Sequence, residues 1–253
     1  MIYKGLKYIF SKNYHCFFEN RKSTLTICKS DFSPEFEAQI EISSTCEQAL
    51  FESFFTHRKE FKDICNEMNL DVNNYSSLVT DMIELGILVK ENERYEPSKY
   101  IYENDVIAFF PSGPKSYHDK WSQILNDLKK DGIKLAFSPV FHPVFDLAAD
   151  KFNSLWYKIH IFRGFKSMYF TPSSCFTCYK NRFWSNYPLA KRMYTSESIL
   201  HVGYEDISIP MNFELKEDAA MQEYDYNNQA FTKVWRMINC NECGRKEKRS
   251  VIT

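Results

Sequence analysis

The chain opens with short apolar runs rich in aromatic and β-branched residues, at Ile2 to Phe10, Tyr14 to Glu19 and Thr24 to Cys28. The polar triplets Ser11-Lys12-Asn13 and Asn20-Arg21-Lys22 interrupt them, so the pattern predicts strands joined by hairpin loops. The next run, Phe36-Glu37-Ala38-Gln39-Ile40-Glu41-Ile42, alternates strictly. A period of two puts apolar side chains on one face and polar ones on the other, which predicts a half-buried strand.

The period then turns helical. Ser44-Thr45-Cys46-Glu47 reads as a capping box, in which serine hydroxyl and glutamate carboxylate satisfy exposed backbone donors. Cys46, Ala49, Leu50 and Phe54 follow on one face, and His57-Arg58-Lys59 ends the helix. A second helix is expected to carry Phe61, Ile64, Cys65 and Met68, and a third Tyr75, Leu78, Val79, Met82 and Ile83 up to Gly86, a natural C-terminal cap. Ile87-Leu88-Val89-Lys90 and Arg94-Tyr95-Glu96 are expected to form a small hairpin. Three short helices closed by a hairpin wing describe a winged helix, expected over residues 1–100.

After Pro97 the pattern changes. Val106-Ile107-Ala108-Phe109-Phe110 is a continuous apolar strand ended by Pro111-Ser112-Gly113-Pro114. Trp121, Ile124, Leu125 and Leu128 predict an amphipathic helix from about Tyr117 to Lys130, and Asp131-Gly132 turns into a strand at Ile133 to Phe137. Strand, helix, strand is the crossover unit of a parallel sheet and begins an α/β domain expected over residues 101–253. Further strands are expected at Leu155 to Phe162 and Lys166 to Phe170, then a helix through Trp184 and a last helix from about Asn227 to Ile238.

Charge narrows the partners. With 32 Lys+Arg against 33 Asp+Glu in 253 residues, the formal net charge of -1 gives no global field to hold nucleic acid. The third helix carries Asp71, Asp81 and Glu84 and no Lys or Arg between Asp71 and Glu84, the reverse of what a DNA-reading helix presents to phosphates and base edges. A strand and a helix bordering a groove can instead take an extended peptide by strand addition. No run reaches the roughly 18 apolar residues of a membrane span, and the N-terminus lacks a basic-then-apolar signal, so a cytoplasmic protein with reduced thiols is expected.

Two counts deviate from average usage: 7 glycines and 8 cysteines. The glycines are too few and too scattered for a GxGxxG or Walker loop. Cys16, Cys28, Cys46 and Cys65 are dispersed, and Cys46 and Cys65 are expected as core residues on apolar helix faces. The other four form two CxxC pairs, Cys175/Cys178 and Cys240/Cys243. Each pair offers two thiolates from one tight turn, and together they suit one closed tetrahedral, structural Zn2+, with Lys180, Arg182, Arg245 and Lys246 offsetting its charge. Two unrelated pairs, a redox CxxC and an iron-sulfur cluster are the competing uses of the same residues. His118, His142, His160 and His201 are isolated, HExxH and GxSxG are absent, and no catalytic residue is expected.

The stretch Tyr169-Phe170-Thr171-Pro172-Ser173-Ser174-Cys175-Phe176-Thr177-Cys178-Tyr179-Lys180-Asn181-Arg182-Phe183-Trp184, with a proline turn leading into CxxC and an Arg after it, has a second CxxC to match near the C-terminal end. Behind a winged-helix module and within a reduced α/β domain, it resembles the zinc-bearing, ubiquitin-activating-enzyme-like components of thiazole/oxazole-modified peptide (microcin B-like) synthetases. The resemblance implies a substrate-recognition and scaffold subunit that does no chemistry itself. The precursor's leader peptide would add as a strand beside Phe36 to Ile42, touching Phe36, Ala38 and Ile40, and pack on the third helix at Tyr75, Leu78, Val79 and Met82. The α/β domain, with zinc at Cys175, Cys178, Cys240 and Cys243, would dock a YcaO-type ATP-dependent cyclodehydratase, and an FMN-dependent dehydrogenase would oxidise the azolines in the same homo- and hetero-oligomeric assembly. Adenylating relatives hold ATP with a glycine-rich loop; here Phe109-Phe110-Pro111-Ser112-Gly113-Pro114 has a single glycine, which implies no ATP binding. A zinc-containing adenylyltransferase and a winged-helix transcription regulator remain the alternatives.

Overall fold

The computed structural model describes residues 8–57, 61–103, 106–129, 135–139, 158–163, 166–170, 181, 184–185, 187–196, 198–204, 221–225 and 230–234. The elements begin with β1 (Tyr8–Phe10), β2 (Tyr14–Glu19), β3 (Thr24–Lys29), β4 (Glu37–Glu41), α1 (Thr45–His57), α2 (Phe61–Glu67), α3 (Val72–Glu84), β5 (Leu88–Lys90) and β6 (Tyr95–Glu96). They continue with β7 (Lys99–Tyr102), β8 (Val106–Phe110), β9 (Gly113–Pro114), α4 (Lys115–Lys129), β10 (Leu135–Ser138), β11 (Lys158–Arg163) and β12 (Lys166–Phe170). The last are α5 (Pro188–Tyr194), β13 (Ser198–His201), β14 (Met221–Asp225) and β15 (Ala230–Val234). The chain is mixed α and β, and it divides into two compact units: residues 1–96, 112–115 and 189–204, and residues 97–111, 116–188 and 205–253.

The first unit is built on an antiparallel sheet of order β13-β2-β3-β4. Its register sets Cys16 opposite Ile27, Phe18 opposite Leu25, Ile27 opposite Ala38 and Leu25 opposite Ile40, so one face is apolar throughout. That face shares a core with Leu50 and Phe51 of α1, Ile64 and Cys65 of α2 and Val79 and Met82 of α3. Helix starts and stops follow the local chemistry. Ser44 Oγ accepts from Glu47 N–H (3.2 Å), while the Glu47 carboxylate accepts from the Ser43 N–H (2.6 Å), so the reciprocal arm of the capping box closes one residue earlier than the motif suggests. Asp71 caps α3 by accepting from Asn73 N–H (2.9 Å), and the chain leaves α3 through Gly86 at φ +68°, a conformation open to glycine.

The opposite face of this sheet carries His15, Phe17, Thr26, Cys28 and Glu37, and α5 packs on it with Leu189, Ala190 and Met193 buried. Arg192 of α5 reaches across three strands. It donates to Glu19 of β2 (3.1 and 2.7 Å) and to Glu37 of β4 (2.8 Å), while the Thr26 hydroxyl of β3 also donates to Glu19 (2.6 Å). Although burial opposes it, the Arg192 guanidinium and the Thr26 hydroxyl hold the Glu19 carboxyl below the usual carboxylate range. Because Arg192 stays partly exposed, its bridges are expected to contribute only about 1 kcal/mol. Arg192→Met should lower stability in urea melts by that amount at pH 7, and the difference should shrink in acid once Glu19 is protonated.

Three expectations are corrected in this unit. Ile87 to Lys90 and Arg94 to Glu96 form no hairpin with each other: β5 pairs with β1 and β6 pairs with β9. The buried Ile87 and Leu88 draw β5 against Phe10, leaving Glu91 to Arg94 as a polar link. Cys46 is exposed and not a core residue, because the inward face of α1 is set by Leu50 and Phe51, whereas Cys65 is buried as expected. Burial pushes the Cys65 thiol up to about 11, with Asp71 adding to the shift. The first sheet also takes a strand, β13, and a helix, α5, from far along the sequence, where the pattern suggested only a mixed region.

The second unit holds a seven-stranded sheet of order β15-β14-β12-β11-β10-β8-β7. As expected of a crossover unit, β8 and β10 are parallel with α4 between them, and β11 joins β10 in parallel. The outer strands are antiparallel, so the sheet is mixed. Trp121, Ile124 and Leu125 bury one face of α4, and Phe110 packs edge-on against Phe137 and beside Trp121. The expected last helix is corrected to a strand: Ala230-Phe231-Thr232-Lys233-Val234 pairs antiparallel with β14. Phe231, Thr232 and Val234 are residue types that favour strands, and Asn227-Asn228 just before them in the sequence are poor helix formers. Among the described residues no helix is long and apolar enough to cross a membrane.

Candidate functional site

Strand β4 is the last strand of its sheet among the described residues. The Ile42 N–H donates to the Ser23 carbonyl (2.9 Å), which fixes the phase of the β3–β4 ladder. In an antiparallel ladder the hydrogen-bonded pairs alternate, so Ala38 and Ile40 turn their backbone groups toward β3 and Glu37, Gln39 and Glu41 turn theirs outward. The side chains obey the pleat: Glu37, Gln39 and Glu41 are exposed, and Ala38 and Ile40 are half-buried on the helix-bearing face.

Helix α3 shares the apolar cluster with β4. Near its N-terminal end the Tyr75 hydroxyl donates to Glu47 (3.2 Å), next to the residues that follow β4. Near its C-terminal end the Leu85 carbonyl accepts from the Tyr14 hydroxyl (3.1 Å), and the Tyr14 ring meets Phe36 edge-on (5.3 Å) at the start of β4. The ten residues from Tyr75 to Leu85 rise about 15 Å as helix, so α3 has the length to reach from the neighbourhood of Glu47 to that of Tyr14 and Phe36. All seven residues expected to touch a peptide fall in one apolar cluster. Val79 and Met82 are buried in it, and Phe36, Ala38, Ile40, Tyr75 and Leu78 are partly buried at its margin. The margin is what a ligand can reach.

The two walls are acidic. Strand β4 carries Glu37 and Glu41 and α3 carries Asp81 and Glu84, with no Lys or Arg on either element. Glu37 is bridged by Arg192, and Lys29 sits at the Phe36 end, its Nζ 4.5 Å from the Tyr14 ring centre. The Glu47 carboxyl is held low by the hydroxyl and amide of Ser43, and burial together with Glu47 pushes the Tyr75 hydroxyl up.

Cys175, Cys178, Cys240 and Cys243 lie outside the described residues, and no group of three or more His, Cys, Asp or Glu among the described residues is placed to hold a metal. The strands that lead to the two pairs are described. Both β12 and β15 pair antiparallel with β14, so they run parallel to each other, and Phe170 opposite Met221 and Val234 opposite Gln222 bring them out nearly level at one end of the sheet. Two strand spacings, about 10 Å, separate them. Five residues lead from Phe170 to Cys175 and six from Val234 to Cys240, tethers that reach about 17 Å or more. By donor chemistry alone, four cysteine thiolates fit tetrahedral zinc.

The single glycine of the Phe109 to Pro114 segment is covered by Tyr204. A Cβ on Gly113 would meet the Tyr204 hydroxyl at 2.7 Å, so the open side of the only glycine in that loop is covered. Tyr204, Gly203, Arg192 and the rest of the 189–204 return escaped the pattern reading. The available signal was Pro188, favoured at the first position of a helix, followed by the apolar run at Ile199 to Val202. No protein-family model, no curated protein and no solved structure matches the chain.

Proposed function

We propose that this protein is a non-catalytic peptide-recognition and scaffold subunit of a thiazole/oxazole-forming peptide synthetase. The edge of β4, last of its sheet among the described residues, and the apolar cluster it shares with α3 carry the reading. An extended leader peptide would exchange backbone hydrogen bonds with Glu37, Gln39 and Glu41. Its alternate side chains would then fall on the face of Ala38 and Ile40, against Tyr75 and Leu78, with the buried Val79 and Met82 as the floor. The acidic walls favour Lys or Arg among the peptide's remaining positions. Residues 1–100, completed by the 189–204 return, would form this winged-helix-like recognition element, and the reduced, ubiquitin-activating-enzyme-like domain would present the core peptide to a YcaO-type cyclodehydratase, with an FMN-dependent dehydrogenase acting afterwards in the cytoplasm. One structural zinc on Cys175, Cys178, Cys240 and Cys243 would tie the end of the chain to the sheet. The covered Gly113 supports a chain that leaves ATP to its partner.

Reading the neighbouring genes for a short Cys/Ser/Gly-rich precursor, and then titrating with its synthetic leader, tests the groove. Leu78→Glu should weaken binding at least about tenfold by setting a charge in an apolar contact, while unchanged affinity would refute docking there. Val79 is a poor probe because its burial makes Val79→Glu a folding defect. Metal analysis should return about one zinc per chain, lost in Cys178→Ser together with much of the second unit's stability. Stoichiometric ATP binding by calorimetry would favour an adenylyltransferase instead.

A further inference from the structure

Among the described residues, Lys29 brings a positive charge to a groove whose walls are acidic. Lys29 of β3 lies opposite Tyr14 of β2, so the two side chains share the helix-bearing face of the sheet, where Tyr14 belongs to the buried cluster. The Tyr14 hydroxyl gives its proton to the Leu85 carbonyl at the end of α3 (3.1 Å) and so keeps its lone pairs for the Lys29 ammonium, which donates to it (3.2 Å). The ammonium also lies 4.5 Å from the Tyr14 ring centre and 5.8 Å from that of Phe36, and both rings attract a cation. A lysine that only sheltered apolar surface would extend its charge into water, whereas this charge is folded back and held.

That charge has donors left for a ligand. An ammonium carries three N–H groups, Tyr14 accepts one, and no carboxylate among the described residues lies within ion-pair distance of Lys29. Glu37, the first residue of β4, is taken by Arg192 (2.8 Å). The surroundings are apolar: Phe36 is partly buried, and Leu85, whose carbonyl Tyr14 reaches, is 54% exposed, the most exposed large apolar residue of the first unit among those described. A carboxylate that meets a half-buried ammonium held against aromatic rings is less screened than one in open water, so the contact discriminates between peptides. At the other end of β4, no cation among the described residues bridges Glu41. A bound strand with an acidic residue at the Phe36 end and Lys or Arg at the Glu41 end satisfies both, and that order of charges also fixes the direction in which it lies.

We propose that the Lys29 ammonium, fixed by Tyr14 beside Phe36, is a carboxylate subsite that selects an Asp or Glu side chain in the bound peptide. The subsite rests on peptide docking between β4 and α3, and a Leu78→Glu arm keeps the two apart. The full chain is panned against random dodecapeptides displayed at the N-terminus of a coat protein, which leaves side chains as the only peptide carboxylates. The wild type should enrich an acidic residue at a fixed distance from an apolar one, and Lys29→Glu should enrich Lys or Arg at the same position. With the winning sequence made as a C-terminal amide, exchanging its Asp or Glu for Asn or Gln should weaken binding at least about fivefold on the wild type and not on Lys29→Met. Lys29→Met keeps the apolar stem over the ring, so this comparison stands whether or not Lys29→Glu folds. Peptides that bind Leu78→Glu weakly but bind the wild type, Lys29→Met and Lys29→Glu alike would overturn the subsite alone. Peptides that bind Leu78→Glu as tightly as the wild type, or a library that yields no binder, would overturn docking in the groove and the subsite with it.

Discussion

Gly203→Ala is expected to lower stability by about 3 kcal/mol or more and the melting temperature by roughly 6–12 °C. A Cβ at this position would press into the Tyr14 carbonyl oxygen and stand 2.7 Å from the Lys12 carbonyl oxygen. Both are backbone atoms of β2 and the turn before it, and neither can swing aside as a side chain would. The same residue donates its N–H to His15 Nδ1 (2.9 Å), and Tyr204 N–H donates to Lys12 (2.7 Å), so displacing the chain here also breaks the bonds that hold the return segment. Since Nδ1 accepts, the proton of His15 sits on Nε2 and is donated to the Ser30 carbonyl (2.9 Å); the imidazole is a neutral clamp between β13's exit and the β2–β3 pair. Gly86→Ala is the control. Nothing lies within 4 Å of its Cβ, so only the φ of +68° opposes it, at a cost of about 1 kcal/mol. Urea or thermal melts of the two variants separate steric closure from backbone strain, and equal losses would refute the close packing at Gly203.

The second large effect is acid sensitivity centred on His201. Its ring is buried against Phe10 (5.4 Å), and its Nε2 has no hydrogen-bond partner among the described residues. Burial pulls the pKa down to about 4, with a bond to the Ser11 backbone opposing it. The unfolded chain therefore takes up this proton first, near 6.5, and the folded chain only near 4. Stability from the neutral ring is complete above about pH 6.5 and lost as pH falls toward 4: about 2 kcal/mol by pH 5 and about 3 kcal/mol in all. Glu19 and Glu47, whose carboxyls are held low in the fold, keep their stabilisation above the ordinary carboxylate range and lose it only as pH falls through and below that range, under most of the window set by His201. The stability of His201→Phe between pH 7 and 5 should be flatter than that of the wild type; parallel curves would rule out the buried ring as the cause.

These two residues also mark where the sequence stops being legible. Local patterns carried the β2–β3 hairpin, the alternating strand at Glu37 to Glu41, the three helices with their caps, and the strand-helix-strand of β8, α4 and β10, because each is decided by residues within one or two turns. The failures are long-range or competitive. The pairing of β5 with β1 beat the nearby β6, since burying Leu88 against Phe10 outweighs a short wing with an acidic link. The pairing of β15 with β14 decides its conformation against the helical expectation. The strand and helix from 189–204 have a weak local signal, and nothing near them names β2 as their partner. The candidate groove was half legible: period two gave Ala38 and Ile40, period 3.6 gave Tyr75 and Leu78, but only the ladder phase reveals that Gln39 turns its backbone outward, and only burial separates the reachable Leu78 from the enclosed Val79.

That ladder phase supplies the most direct test of peptide recognition at β4. Gln39 directs its N–H away from β3, so proline there removes a donor to the ligand while leaving the β3–β4 bonds in place, whereas Ile40→Pro removes an internal bond and should unfold the strand. The measurement is the affinity of the synthetic leader for folded wild type and folded Gln39→Pro. Strand addition predicts a loss of at least about tenfold in affinity with the melting temperature nearly unchanged, and a folded Gln39→Pro that binds the leader as tightly as the wild type would contradict it.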